Sequence, residues 1–339
     1  MKRTDKIHTT LRLLIGLSIL IAALGVSARV WAAPEHPDTG SNGGWVKYQS
    51  NPVLGGKLGT CFDICVLRIG KVYHMWFSWR PKRSIALVTS IDGIHWSKPT
   101  IALGPDRATG WQYDLNRPVV IYHHGLYRMW YTGQTNTQSR IGYATSRDGI
   151  HWHRRTKPVL SPSLPWEHVA VMCPDVIWDQ SSREYKMWYS AGDQYEPNDI
   201  GLAVSKNGIN WKRFSNKPIF TPDTQIKWER NRVTACQVIK RGRWYYMFYI
   251  GFENINRAAI GIARSPNGAS GWERLAANPI VFPGKNTWDS DACYKPFAIF
   301  DGKKWMLWYN GRHNTLEQIG LAVHQGKHFG FIRGSAAGK

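Results

Sequence analysis

An aromatic-rich segment recurs five times along this 339-residue chain: Tyr73-His74-Met75-Trp76-Phe77, Tyr127-Arg128-Met129-Trp130-Tyr131, Tyr185-Lys186-Met187-Trp188-Tyr189, Tyr245-Tyr246-Met247-Phe248-Tyr249 and Trp305-Met306-Leu307-Trp308-Tyr309. Each is followed by a short apolar run headed by Ile85, Ile141, Ile200, Ile260 or Ile319, so the period is 56, 59, 60 and 59 residues. A repeat of this length, with no sustained helical period, restricts the chain to architectures that copy one supersecondary unit.

Between units the chain passes Asp92-Gly93, Asp148-Gly149, Asn207-Gly208 and Asn267-Gly268, dipeptides that accept the positive φ of tight turns. These lead to tryptophan-led runs at Trp96, Trp152, Trp211 and Trp272. A further β-rich run, such as Arg117-Pro118-Val119-Val120-Ile121, precedes each aromatic segment. Four short strands per unit, separated by turn residues, predict an all-β, five-bladed β-propeller with four-stranded blades. The last unit ends at Ile319-Gly320-Leu321-Ala322-Val323 without a tryptophan-led strand, whereas Trp45-Val46-Lys47-Tyr48-Gln49-Ser50-Asn51-Pro52-Val53-Leu54 reads like the run from Trp211 to Phe220. The N-terminal strand, about 45–54, is therefore expected to complete the last blade and close the ring, covering a sheet edge. A single domain over 44–331 follows.

Ahead of that domain, Lys2, Arg3, Lys6 and Arg12 precede an apolar run from Leu13 to Val26 and the small-residue exit Val30-Trp31-Ala32-Ala33-Pro34, the order of a secretory signal. The run is shorter than the roughly 20 residues of a bilayer-spanning helix. Residues 1–32 thus read as a signal peptide, 33–43 as a linker and 332–339 as a tail, with a secreted or periplasmic location and no membrane contact beyond the signal segment. The formal charge of +21 raises a nucleic-acid partner. Lys and Arg are scattered through every segment rather than gathered in a stripe, which argues instead for a soluble cationic exported protein without nucleic acid, expected to be a monomer.

Cys61, Cys65, Cys173, Cys236 and Cys293 are odd in number, fit no zinc spacing and fall on comparable strands. They read as small buried hydrophobes, with a Cys61–Cys293 bridge as the alternative in an oxidising compartment. No metal motif or cofactor is called for, apart from room for a channel-bound ion such as calcium.

In a propeller the innermost strands line a central funnel, where ligands bind. Aligning the units on their aromatic segments places Ile64, Pro118, Pro174, Cys236 and Pro296 in one column and Asp63, Arg117, Cys173, Ala235 and Lys295 in the column before it. Residues that build a blade should repeat, whereas residues that do chemistry should differ at a shared position. Asp63, Arg117 and Lys295 are charges where other blades carry small residues, and a charge near a crowded axis is costly unless it binds something. The alternative is a structural pairing of Asp63 with Arg117 or Lys295 across the channel.

A second column holds Trp166-Glu167, Trp228-Glu229 and Trp288-Asp289, with Trp111-Gln112 one residue nearer. Its recurrence is the mark of a structural feature, yet Glu229 is followed by Arg230-Asn231-Arg232 and reads as a carboxylic acid held among cations at the funnel rim. Asp114, Asn116, Asp291 and Tyr294 lie on the same channel-entry loops as candidate sugar ligands. Asp175, after a Pro at a strand start, reads as structural. The 18 Trp and 15 Tyr do not by themselves indicate a sugar site, because most recur in every unit.

The pattern Tyr127-Arg128-Met129-Trp130-Tyr131-Thr132-Gly133, then Ile141-Gly142-Tyr143-Ala144-Thr145-Ser146-Arg147-Asp148-Gly149-Ile150-His151-Trp152, then Lys157-Pro158-Val159-Leu160, resembles the five-bladed arabinanase, levansucrase and invertase superfamily of glycoside hydrolases. The resemblance covers essentially the whole chain after the signal. It implies an Asp on the first inner strand as base or nucleophile, a second Asp that tunes pKa and orientation, and a Glu acid. Asp63 matches the first. The family pattern puts an Asp or Glu just before the strand Pro of a middle blade, where this chain has Arg117-Pro118 and Met172-Cys173-Pro174. Glu229, with Glu167 behind it, is therefore taken as the acid and Asp291 as the helper.

Glycoside cleavage needs two carboxylates flanking the bond. The expectation is an exported glycoside hydrolase acting on a furanoside or related glycan, with Asp63, Glu229 and Asp291 catalytic. Asp114, Asn116, Arg117, Glu167, Arg232, Tyr294, Lys295 and Arg312 would bind the carbohydrate. The alternatives are a glycoside phosphorylase of the mannoside-acting propeller type, in which the cations hold phosphate, and a non-catalytic carbohydrate-binding propeller.

Overall fold

The computed structural model describes residues 40–331, all within one unit spanning Glu35–Lys339. The expected signal peptide, most of the linker and the tail lie outside the described residues. The described chain is all-β and propeller-like, its only helical elements being short 3-10 turns.

Strand β1 (Trp45–Lys47) comes first. Four groups of four follow: β2 (Cys61–Ile69), β3 (Val72–Trp79), β4 (Ser84–Ser90) and β5 (Thr100–Leu103); β6 (Asp114–His123), β7 (Leu126–Gln134), β8 (Ser139–Ser146) and β9 (His153–Arg154); β10 (Ala170–Asp179), β11 (Glu184–Gly192), β12 (Asp199–Ser205) and β13 (Lys212–Arg213); β14 (Arg232–Arg241), β15 (Trp244–Asn254), β16 (Arg257–Ser265) and β17 (Glu273–Arg274). The chain ends with β18 (Ala292–Phe300), β19 (Lys304–His313) and β20 (Leu316–Gln325).

Within each group consecutive strands pair antiparallel. β1 pairs antiparallel with β20, with Trp45 opposite His324 and Lys47 opposite Ala322, and Leu54 bridges Ile319. The last group is therefore β1-β20-β19-β18. One parallel pairing, Ala170 with Ser139, joins the second and third groups into an eight-stranded path. The inner strands are β2, β6, β10, β14 and β18 and the outer ones β5, β9, β13, β17 and β1; each inner strand contacts the next, and β18 also contacts β2.

The sequence explains the turns. Ser90 Oγ accepts the Gly93 amide while Asp92 Oδ1 accepts the amides of Ile94 and His95, and the same pattern recurs at Ser146/Asp148, Ser205/Asn207 and Ser265/Asn267. The glycine takes a φ of 75° at Gly93, a region where a Cβ is strained, and so sends the chain outward.

That glycine also receives a bond from the neighbouring group. Trp76 Nε1 donates to Gly149 O, Trp130 to Gly208 O, Trp188 to Gly268 O and Trp308 to Gly93 O, at 2.8–3.0 Å. All four indoles are fully buried, so the recurring tryptophan both fills the space between sheets and satisfies a buried carbonyl. The equivalent residue of the fourth group is Phe248, which has no such donor. All five cysteines are free thiols, four of them buried, so the alternative Cys61–Cys293 bridge is not formed.

Gly208 O accepts a second indole, from Trp211, whereas Trp308 is the indole donor to Gly93 O. Trp308→Phe is thus expected to lower unfolding free energy by about 1–3 kcal/mol more than Trp130→Phe, because it alone strips a buried carbonyl of its indole. Urea denaturation of the two variants measures this.

Candidate active site

Every inner strand breaks its ladder once. Register shifts fall between Phe62 and Cys65, Asn116 and Val119, Met172 and Asp175, Thr234 and Gln237, and Tyr294 and Phe297. Inside these shifts sit Asp63 (φ 54°), Arg117 (φ 56°), Cys173 (φ 53°), Ala235 (φ 39°) and Lys295 (φ 53°). They are the column in which the sequence varies. A non-glycine residue at positive φ is costly, of order 1–3 kcal/mol, and persists only where its surroundings enforce it.

The enforcement comes from the preceding group. The amide of Asp63 donates to Asn310 Oδ1 at 3.0 Å, that of Arg117 to Ser78 Oγ at 2.9 Å, that of Cys173 to Thr132 Oγ1 at 3.1 Å and that of Ala235 to Ser190 Oγ at 2.7 Å. For Lys295 the corresponding residue is Ile250, which has no acceptor side chain.

These five residues surround a cavity of about 240 Å³. It is built from the starts of the inner strands, the ends of the second strands and the hairpins that lead into the third strands. Three carboxylates, Asp63, Glu196 and Glu317, face four cations, Arg80, Arg117, Lys295 and Arg312. Asp63 is 3% exposed; its Oδ2 accepts Ser78 Oγ at 3.3 Å and lies 3.8 Å from Arg117 Nε, and its Oδ1 lies 3.7 Å from Lys295 Nζ. Glu317 accepts a short hydrogen bond from the Tyr294 hydroxyl and pairs with Arg80 at 3.3 Å. Burial, and then the charge of Glu317, push the Tyr294 phenol well above its ordinary value, so it remains the donor.

The Glu196 side chain makes no hydrogen bond or ion pair among the described residues. Burial raises its pKa above the ordinary glutamate value; Arg117 and Arg232 oppose this, while Glu317 and Asp63 reinforce it. Among the described residues no three His, Cys, Asp or Glu side chains converge as a metal-ligand set.

Of the residues singled out from sequence, Asp63, Asn116, Arg117, Tyr294, Lys295 and Arg312 line this cavity. The others do not. Glu229, expected as an acid at the rim, is fully buried: Oε1 accepts Arg274 Nε at 2.5 Å and Oε2 accepts the Tyr249 hydroxyl. Its neighbours Arg230 and Arg232 point instead at the carbonyls of Glu253 and Glu196. Glu167 is held the same way by Arg213 and Tyr189, and Asp289 by Lys47 and Tyr309. The cation is in each case the last residue of an outer strand, and β1 supplies Lys47. Glycine opposite the tryptophan permits this packing, since a Cβ on Gly251 would collide with Trp228 and Glu229.

Asp291 is likewise corrected to a local role, accepting the Asn314 amide at 2.6 Å, and Asp114 lies beside Arg83 at 3.4 Å. Arg232 bonds the backbone that carries Glu196. Glu196, Glu317 and Arg80 lie at the connections between second and third strands, outside the inner-strand and tryptophan–acid columns that the repeat brings out. In an antiparallel group the second-to-third hairpin lies at the same end as the start of the inner strand, so a column drawn through those hairpins would have found them.

Asp175 lines a second, largely apolar cavity of about 400 Å³ bounded by the later halves of the inner strands. It accepts the Val238 amide at 2.8 Å, tying the third group to the fourth. Burial pushes its pKa up from 3.8 to about 7, against the pull of that amide and of Lys295.

Two stability measurements follow. Glu229→Ala strands Arg274 and is expected to cost about 3–5 kcal/mol in denaturant unfolding while leaving turnover per folded molecule unchanged. For Asp175 the folded pKa is raised, so its stabilisation is complete below pH 3.8 and is lost as pH rises to about 7. Unfolding free energy measured across that window should fall by a few kcal/mol more in the native protein than in Asp175→Asn.

Comparison with known proteins supplies the family. A family model for glycosyl hydrolases family 43 matches residues 49–327. An uncharacterized protein of Mycobacterium tuberculosis is 28% identical over 244 residues, 63% of this chain and 76% of that one. The 1,2-beta-oligomannan phosphorylase of Thermoanaerobacter is 33% identical over 216 residues, 60% of this chain and 66% of that one. Among solved structures, one described as a glycoside hydrolase superposes with a TM-score of 0.69 at 18% identity, covering 89% of this chain and 96% of that one. An exo-1,5-alpha-L-arabinanase from a bovine ruminal metagenomic library superposes with a TM-score of 0.60 at 17% identity, covering 78% and 93%. The structural likenesses, at such low identity, show a shared fold.

Proposed function

Because the chain belongs to glycosyl hydrolase family 43, we propose that it is an exported glycosidase cleaving a furanoside or related glycan in the cavity at the inner-strand starts. The observation that carries this reading is the placement in one cavity of Asp63, held by Ser78, Arg117 and Lys295, and Glu196, a carboxyl with no hydrogen bond or ion pair among the described residues. Glycosidic cleavage divides its labour between two carboxyls, one acting as the acid and the other as base or nucleophile.

In the proposed chemistry Glu196 gives its proton to the leaving-group oxygen as the anomeric C–O bond breaks. On the opposite face Asp63 either bonds to the anomeric carbon, giving a glycosyl-enzyme that water then hydrolyses, or takes the proton of the water that attacks that carbon. Arg117 and Lys295 orient Asp63, and Asn116, Tyr294 and Arg312 contact the sugar. The five strand groups are read as five blades of a ring closed by β1, which is supported by the pairing of β1 with β20 and the contact of β18 with β2. Export rests on the basic, apolar and small-residue order of the N-terminal segment.

A phosphorolytic version is the second reading. It is favoured by the cations around Asp63 and by the phosphorylase among the relatives. Turnover that requires inorganic phosphate would select it.

The test is hydrolysis of aryl furanosides, aryl pyranosides and short glycans by the protein, with and without phosphate. Asp63→Asn and Glu196→Gln are each expected to lower kcat/KM by roughly 10²–10⁴. Glu196→Gln should also abolish the alkaline fall of the pH–rate profile, because the acid works only while protonated, and should be least harmful to aryl glycosides with good leaving groups. Full activity in both variants would overturn the assignment.

A further inference from the structure

Resting on the glycosidase reading, we propose that the sugar residue bound in the cavity is acidic, and that its carboxylate is received by Arg312 and Lys295. The four lining cations are unevenly paired with the three carboxylates. Arg80 faces Glu317 at 3.3 Å, while Arg117 and Lys295 share Asp63 at 3.8 and 3.7 Å, both beyond hydrogen-bond length. Arg312 has no ion pair among the described residues. Its Nη2 donates to the Asn256 carbonyl at 2.7 Å, and its buried Nε has no partner. Thr234, 2% exposed and lining the same cavity, also leaves its Oγ1 unpartnered.

The spare capacity on Arg312 and Lys295 is donor-only, because a guanidinium and an ammonium offer hydrogens and no lone pairs. A neutral sugar hydroxyl brings a donor with each acceptor and asks for an acceptor in return. A carboxylate brings acceptors alone and a charge opposite to the surplus. Leaving a buried cationic donor unbonded, as the Arg312 Nε is, is costly, so the ligand that relieves it is an acceptor-rich anion. The cavity, at about 240 Å³, lies below the ~300–1,000 Å³ of pockets for drug-sized ligands. Sugar and anion therefore share it best as one residue, a uronate or similar acid, rather than as a neutral sugar beside a separate ion.

The experiment titrates Glu196→Gln, inactivated but otherwise intact, with galacturonate and glucuronate oligosaccharides, their neutral galactose and glucose counterparts, and inorganic phosphate. Isothermal titration calorimetry is the readout. The acidic oligosaccharides are expected to bind at least roughly tenfold tighter than the neutral ones. Adding Arg312→Gln should remove roughly 10–100-fold of that affinity, whereas Arg312→Lys should keep part of the preference, which a folding defect would not produce.

Neutral oligosaccharides binding as tightly as acidic ones, with Arg312→Gln affecting both alike, would sink this inference and leave the glycosidase reading standing. Phosphate binding at the same site, together with phosphate-dependent cleavage of neutral glycosides by the unsubstituted protein, would also overturn it and give the cations to phosphate. Absence of binding by every sugar, with no glycan cleaved, would remove the glycosidase reading and this one with it.

Discussion

Once in every inner strand the backbone leaves its ladder, and in four of the five a side-chain acceptor of the preceding group captures the amide that is set free. This single arrangement does two jobs. It stitches one sheet to the next through Asn310, Ser78, Thr132 and Ser190, and it holds a non-glycine residue at positive φ so that its side chain faces the cavity. Asp63, Arg117 and Lys295 are functional candidates because they occupy that position, where a side chain of any chemistry is presented to the same small space. Ser78 links the two jobs directly, accepting the Arg117 amide while donating to Asp63.

The outer parts of the sheets follow another logic, in which repetition serves packing. A buried tryptophan reaches the turn glycine of the next group, and a buried Glu or Asp ties an outer-strand cation to a tyrosine. Charge in this layer is enclosed and fully partnered, as burial demands. Charge in the cavity is incompletely partnered, and this difference in satisfaction separates the residues proposed to act on a ligand from those that hold the sheets.

The fourth and fifth groups join differently. Ile250 cannot accept the Lys295 amide and Phe248 has no indole, so both recurring stitches are missing there. Gln237 bonds both the carbonyl and the amide of Ala298 at this joint, as Asp175 and Cys65 bond Val238 and Val120 at others. Lys295 thus lacks the side-chain acceptor that holds the Arg117 amide from behind, and it stands beside the proposed base.

Much of the architecture was legible in the sequence, because strand alternation, turn dipeptides and the tryptophan repeat are local signals read at fixed spacing. The kinship of β1 with the other outer strands was legible for the same reason, as was the column of Asp63, Arg117 and Lys295. The carboxyl proposed to work with Asp63 was not. Cations follow Glu229 in sequence, yet a side chain next in sequence along a strand start points elsewhere, and the partner of Glu229, Arg274, is on an outer strand 45 residues away. Glu196 and Glu317 come from hairpins of the third and last groups and meet Asp63 only because the inner strands converge. The sequence by itself determined the repeating unit and the position in it that is free to vary. Only the tertiary structure decided which charges share a cavity and which neutralise one another in the core, since that depends on convergence of distant segments and on the solvent each carboxylate loses.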